Sequence, residues 1–328
     1  MRFLQVVEQD GRYAAALQQA PDPVPAAGEV LVRVAASGLN RADLSQIAGR
    51  YPPPAGESII PGLEVSGTVV DTGAPVCALL GGGGYAELVA VPTGQILPAP
   101  PVMDLVSAAA IPEAFLTAFV NLVVEADLQA GQRVLVHAGA SGVGLAAIQV
   151  ARLVGARVAA TTRSPEKRPA LEAAGADLAV VTATENGSFE VERQWGSDTV
   201  DVVLDPIGGS SVAGNLRLLA PGGRIVVIAT MGGARAEIDL AMLMKKRARL
   251  VGSTLRARSR PEKARLIARF REECFPGFAT GRLRVNVDAV YPATEAGLAL
   301  RRMRENRNTG KLLLAWSDPL RALGAALS

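Results

Sequence analysis

The sequence predicts an α/β protein, a doubly wound parallel sheet joined to a mostly-β domain, and three observations predict it. A glycine-rich turn lies between a buried apolar strand and a helix within residues 133–154. Short apolar runs alternate with helical stretches across residues 120–255, the pattern of βα units whose strands lie parallel. Residues 1–115 instead carry short alternating runs broken by Pro and Gly clusters, the pattern of antiparallel strands.

The first observation is the centre of the chain. Arg133-Val-Leu-Val-His137 is a short apolar strand, and Ala138-Gly-Ala-Ser-Gly-Val-Gly144 holds too much glycine for a helix interior. Residues 145–154 then carry apolar side chains at helical spacing, and 157–161 form a second strand. A helix N-terminus offers unpaired N–H groups and partial positive charge to an anion. Glycines let that backbone approach a pyrophosphate. The spacing Gly139, Gly142, Gly144 is G-x-x-G-x-G, not the commoner G-x-G-x-x-G, so a tight turn packed on the sheet is the competing reading. The order strand, turn, helix, strand points to a Rossmann dinucleotide unit. An NAD-preferring sheet closes its second strand with an acid. Here the segment is Thr161-Thr-Arg-Ser-Pro-Glu-Lys-Arg168. Arg163 can fork onto a phosphate and Lys167 adds a point charge, with Ser164 as N-cap and Pro165 at the first helical position. NADPH is expected over NADH; a solvated basic helix start is the alternative.

Of the 328 residues, 49% are hydrophobic but only 4% aromatic, which predicts two aliphatic cores. The net charge of +3 leaves nucleic-acid binding as a main role without support. The densest basic cluster, Lys245-Lys-Arg-Ala-Arg249, reads as a solvated helix end. Cys77 and Cys274 show no CxxC spacing, so neither a disulfide framework nor a cysteine metal site is expected. The first residues lack the apolar core of a signal peptide, and no uninterrupted apolar run is long enough to cross a bilayer. A soluble cytoplasmic protein without membrane association is expected.

In chain order, strands are expected at 29–35, 64–70 and 85–90, and a helix at 112–119. Further strands follow near 178–181, 200–205, 224–229 and 249–253, with a helix at 211–219. Ligands of such a sheet bind at the carboxyl ends of its strands, here the loops after His137, Thr161, Asp205 and Ala229. The last part carries a charged helix at 261–271, a strand at 285–291, a helix at 294–304 capped by Thr294, and a strand at 311–315.

A run of motifs in sequence order carries a resemblance. These are Ala35-Ala-Ser-Gly-Leu-Asn-Arg-Ala-Asp43, Gly49-Arg-Tyr-Pro-Pro53, Pro61-Gly-Leu-Glu64, Ala109-Ala-Ile-Pro-Glu113, the Gly139 turn, Asp205-Pro-Ile-Gly-Gly209 and Asn308-Thr-Gly-Lys311. Over nearly its whole length the chain resembles the zinc-independent, zeta-crystallin-type quinone oxidoreductases of the medium-chain dehydrogenase/reductase superfamily, closest to their tumour-suppressor-inducible branch. The resemblance implies a GroES-like catalytic domain from residues 1–119 and 256–328, a Rossmann domain at 120–255, NADPH in the cleft between them, and a homodimer. It implies that Ser141, Gly142 and Val143 lie under the pyrophosphate and that Thr162, Arg163 and Lys167 hold the 2′-phosphate. It places Asn40 near the nicotinamide and Tyr51 against cofactor or quinone. Thr117, Asp205, Met231, Gly232, Leu255, Arg256 and Lys311 complete the set. Asn40 also reads as an Asx turn before a helix. Tyr51 reads as an exposed aromatic in a Pro-rich loop, and Asp205 equally as a strand-end or cap carboxylate. His137 reads as a packed, hydrogen-bonded histidine.

Zinc-dependent relatives place a Cys just before the Asn40 region and a His ahead of Glu64; this chain has Leu39 and Leu63. Catalytic zinc needs about three protein ligands, and His137 is the one histidine. The expected activity is hydride or electron transfer from NADPH to a quinone, whose oxygens can take protons from solvent. The alternatives are reduction of an activated C=C bond in an enone or alkenal, and a non-catalytic NADPH-binding role. One departure from the family, the shortened Asp71-Thr-Gly-Ala-Pro-Val-Cys77, puts the local fold in question.

Overall fold

The computed structural model describes residues 1–10, 12–182 and 187–316. The chain forms two compact units. One comprises Met1–Leu116, Arg256–Ala279 and Arg284–Ser328; the other comprises Thr117–Leu255 and Thr280–Leu283.

Among the described residues, the second unit holds a six-stranded sheet. Its order is Leu178–Val181, Arg157–Thr162, Arg133–Val136, Val200–Asp205, Leu219–Val227 and Arg249–Gly252. Every neighbouring pair is parallel. In chain order this is 3-2-1-4-5-6, the doubly wound Rossmann arrangement, which reverses beside the first strand. Leu135, Ala159, Val200, Val203 and Leu218 are fully buried in its core, each Val or Leu contributing about 1.5–3 kcal/mol of burial. The helix after the first strand is Gly142–Val154, so two glycines expected in the turn belong to its first turn. There N–H groups have no intrahelical partner in any case, and glycine's cost is small. The strand expected at 224–229 begins earlier, at Leu219. The basic cluster is not wholly solvated: Lys246 is buried, donates to the Leu219 carbonyl at 2.7 Å and pairs with Asp198 at 2.6 Å.

The first unit is built on a seven-stranded sheet. Glu29–Gly38 pairs antiparallel with Glu64–Val69, Leu88–Pro92 and Lys311–Ala315. Arg2–Gln9 and Arg12–Gln19 form a separate antiparallel hairpin. The strand expected at 85–90 lies at Leu88–Pro92, because Tyr85 is drawn into the core, fully buried. The shortened segment after Val69 closes a regular hairpin: Val69 N–H donates to the Ala74 carbonyl at 3.0 Å, and Thr68 sits opposite Pro75. Thr294 does not cap a helix; it lies inside the 3₁₀ turn Ala293–Glu295, and the helix Ala296–Arg304 starts one turn later.

Leu105–Glu125 has the length and mean apolarity of a bilayer span, although Pro112, Glu113 and Asn121 interrupt the apolar run, and 72% of its 18-residue apolar window is buried within the structure, as in a core helix.

Candidate functional site

The sites within the second unit lie at the carboxyl ends of its parallel strands. Ser141 caps the helix Gly142–Val154, its hydroxyl accepting from Gly144 N–H at 3.0 Å. The N–H groups of Gly142 and Val143 have no partner among the described residues. A Cβ on Gly144 would stand 2.5 Å from the Ala138 carbonyl oxygen and 2.6 Å from that of Gly139, so the turn folds this tightly only with glycine there. The next strand, Arg157–Thr162, ends in Thr162, whose hydroxyl accepts from Ser164 N–H at 3.2 Å. The Ser164 side chain makes no cap bond, contrary to its expected role: Thr162 has taken over the turn. Arg163 is exposed and has no partner among the described residues, and Lys167 ends the 3₁₀ turn Pro165–Lys167.

Asp205 is fully buried with both oxygens occupied. Oδ1 accepts from Ile207 and Gly208 N–H at 2.7 and 2.9 Å; Oδ2 accepts from Ser211 and Asn215 at 2.9 and 3.0 Å. The geometry therefore makes it a turn-forming carboxylate, and leaves no lone pair aimed at a ligand. His137 is 1% exposed, between Thr161 Oγ1 at 3.1 Å and Asn215 Oδ1 at 2.8 Å. Asn215 donates its amide N–H to Asp205, so its oxygen accepts from His137 Nε2–H, and Nδ1 accepts from Thr161. Burial lowers the imidazole pKa, which agrees with a neutral structural ring. Met231 is half-exposed, and Met231 and Gly232 N–H donate to the Pro206 and Ile207 carbonyls, joining the two loops. Thr117 lies on the helix Pro112–Phe119, and Leu255 is buried at the end of the unit.

In the first unit, sheet register assembles a second polar group. Leu313 faces Gly38 and Val65 faces Ser37, so Asn40, Glu64 and Lys311 converge at one end of three strands. Lys311 is 5% exposed. Its ammonium donates to the Leu39 carbonyl at 2.7 Å, to Asn40 Oδ1 at 2.7 Å and to Glu64 Oε1. Glu64 is fully buried and also accepts from Asn40 Nδ2 at 2.9 Å and Glu113 N–H at 2.8 Å. All three ammonium hydrogens are thus used within the unit, and Lys311 positions Asn40. Asn40 starts the helix Arg41–Ile47, where Asp43 Oδ2 accepts from Asn40 N–H at 2.7 Å and from the Tyr85 hydroxyl at 2.9 Å. Burial raises the Asp43 carboxyl to about 6.

Tyr51 is only partly exposed, because the Arg256 guanidinium lies over its ring, 5.1 Å from the centroid. Arg256 donates to the carbonyls of Gly81 and Tyr51 at 2.8 and 3.1 Å and to Gln46 Oε1 at 2.6 Å. Two neighbours escaped the reading from sequence. Glu113 is partly exposed, and burial followed by Glu64 pushes its carboxyl up to about 8. Lys263, in the charged helix Arg260–Glu273, is 1% exposed. Glu113 carries a motif signal, and Lys263 lies three, four and seven positions before Leu266, Ile267 and Phe270, the buried face of the same helix, a periodicity that could have found it.

The donor set does not fit a zinc ion. Among the described residues no three His, Cys, Asp or Glu side chains group as ligands; both cysteines are buried, and Glu64 is committed to Lys311.

Comparison with known proteins defines the class. Residues 26–101 match the family "Alcohol dehydrogenase GroES-like domain" and 142–271 the family "Zinc-binding dehydrogenase". The quinone oxidoreductase from Thermus thermophilus, solved also as its NADPH complex, is 36% identical with a TM-score of 0.82, over 96% of this chain and 100% of that one. The CurK enoyl reductase is 28% identical with a TM-score of 0.78, covering 96% and 98%. The Streptomyces orinoci spectinabilin polyketide synthase system protein NorB is 38% identical over 92% of this chain, which spans 14% of NorB's length. The chain belongs to the medium-chain dehydrogenase/reductase superfamily of oxidoreductases.

Proposed function

We propose that this chain is an NADPH-dependent reductase of conjugated carbonyl acceptors, quinones first, of the zeta-crystallin-type branch. The observation that carries the cofactor choice is the end of the strand Arg157–Thr162. Thr162 and Arg163 stand where an NAD-preferring sheet places an acid, and the Arg163 fork, without a partner among the described residues, suits a phosphate monoester. Lys167 adds a second charge. Ser141 holds the first helical turn so that Gly142 and Val143 offer N–H groups to a pyrophosphate. Bound there, reduced nicotinamide supplies a hydride; the chain supplies placement and polarity. Asn40, fixed by Lys311 and Glu64, and Tyr51, fixed by Arg256, are the side chains assigned to orienting the reacting groups.

A second reading, reduction of an activated C=C bond, draws support from the likeness to an enoyl reductase and to a polyketide synthase protein. Initial rates with NADPH and NADH, each against a quinone panel and an enone and enoyl-thioester panel, separate the two. Quinone turnover with NADPH preferred is expected; turnover of the enone panel alone selects the second reading. Tight NADPH binding with no acceptor turned over would leave a non-catalytic dinucleotide-binding protein. The same proposal includes a homodimer joined through the edge strand Arg249–Gly252, where Leu250 is 43% exposed, next to the helix Leu240–Lys246, whose Leu240 and Met244 are 65% and 73% exposed. Sedimentation of the purified chain tests that.

A further inference from the structure

The backbone just before the helix Gly142–Val154 is held in an uncommon shape. Ala138 has a φ of 51°, in the left-handed region, which strains a non-glycine residue and persists only where the surroundings over-determine it. Its carbonyl accepts from Ser141 N–H at 3.0 Å, so this conformation places the residue that caps the helix. Both flanking residues are tied down. His137 N–H donates to the Leu204 carbonyl at 3.1 Å, and Gly139 N–H to the Thr161 carbonyl at 2.7 Å. The His137 ring is tied as well. Its Nδ1 accepts from the Thr161 hydroxyl at 3.1 Å, and its Nε2–H donates to Asn215 Oδ1 at 2.8 Å. The Asn215 amide N–H donates in turn to Asp205 Oδ2 at 3.0 Å, and the Ser188 hydroxyl donates to Asn215 Oδ1. All five side chains are buried. Every proton in this line points one way, from Thr161 through His137 and Asn215 to the Asp205 carboxylate, an arrangement in which successive hydrogen bonds polarise one another. The line spans the carboxyl ends of three neighbouring strands, Arg157–Thr162, Arg133–Val136 and Val200–Asp205.

We propose that Asn215 and His137 are positioning residues for the coenzyme: with Thr161 they form a strut that fixes the spacing between the glycine turn at Gly142 and the turn at Arg163, so that a dinucleotide carrying a 2′-phosphate is gripped at both. This rests on the NADPH reading above and deepens it by naming what sets the distance between the two phosphate sites. A ligand held at two points gains from the second contact according to how stiffly the two points are joined. NADPH would be held by its pyrophosphate and by its 2′-phosphate. NADH has no group for the second contact, so stiffness between the turns gives it nothing. Asn215 and His137 are buried and act through Ala138 and Thr161, the residues whose backbone they hold.

The test measures NADPH and NADH dissociation constants on the full chain by fluorescence, with nitrogen-edited NMR of the imidazole beside them. His137 is the one histidine, so its signals need no assignment. At pH 7 the wild-type ring should carry its proton on Nε2 and leave Nδ1 bare. Thr161→Val removes the hydroxyl at nearly constant volume and keeps the carbonyl that accepts from Gly139. It should weaken NADPH by about 3–30-fold and NADH by less than about twofold. Thr161→Ser, which keeps the hydroxyl, should restore the wild-type NADPH value. The loss of NADPH affinity caused by Arg163→Ala should be smaller by the same factor of about 3–30 in the Thr161→Val background, because the two changes remove one contact. Asn215→Ser leaves Nε2 without its acceptor and should lose the single-tautomer spectrum together with NADPH affinity; Thr161→Val decides the matter if that variant does not fold. The opposite tautomer in the wild type, equal losses for NADPH and NADH, or additive effects of Thr161→Val and Arg163→Ala would each overturn the proposal. If the wild-type chain binds neither dinucleotide, or NADH as tightly as NADPH, the coenzyme reading itself fails and the strut's role falls with it, a result seen before any variant is made.

Discussion

Replacing Arg163 with alanine tests the contact proposed to distinguish NADPH from NADH. The side chain is exposed and has no partner among the described residues, and the turn that carries it is held by Thr162 Oγ1, which accepts from Ser164 N–H at 3.2 Å. Its removal should cost the fold no more than about 0.5 kcal/mol, as for other surface substitutions. A hydrogen bond to a charged group contributes about 1.5–3 kcal/mol. Solvent exposure offsets part of a forked pair, so the net loss toward a 2′-phosphate is taken as about 2–3 kcal/mol, or about 30–150-fold in NADPH KM. NADH has no phosphate at that position, so its KM should not move. Steady-state KM for both coenzymes at saturating acceptor is the assay, repeated at high salt, where the NADPH penalty should shrink. A parallel rise for both coenzymes, or none for either, would refute the phosphate assignment.

Three further outcomes follow from the buried groups. Lys311→Met strands the fully buried Glu64 carboxylate and should destabilise by about 3–5 kcal/mol, read as a lower urea midpoint at pH 7; an unchanged midpoint would show that Glu64 finds another partner. Asp43 has its folded pKa raised from 3.8 to about 6, so the folded state binds the extra proton and stability falls as pH rises from about 4 to about 6, by at most about 3 kcal/mol. Asp43→Asn, whose oxygen can still accept from Asn40 and Tyr85, should flatten that part of the stability–pH curve; a retained slope would assign it elsewhere. Gly144→Ala drives a methyl into two backbone carbonyls and should weaken coenzyme binding measured by fluorescence, whereas wild-type affinity in the variant would mean that the turn relaxes freely.

The parts of the site that could be read from sequence are those set by near neighbours. Gly142 and Gly144, Ser141 at the helix start, and Thr162-Arg163 after the second strand all act within a few residues of one another. Their chemistry is visible as spacing. The boundaries were less legible. Ser141 pulls two glycines into the helix, Thr162 displaces Ser164 as the turn-former, and Thr294 is overtaken by a 3₁₀ turn. Each is a competition between adjacent hydrogen-bonding groups that propensity alone does not rank.

By itself the sequence determined the alternation of strands and helices, the glycine turn at the helix start and the missing acid after the second strand, because periodicity and turn chemistry are local. Only the tertiary structure decided that Glu64 and Lys311, 247 positions apart, share one buried contact, and that Arg256 reaches the Gly81 carbonyl and Gln46 Oε1. Pairing and burial depend on which strands lie side by side and what packs over a side chain, and no window of neighbouring residues contains that information.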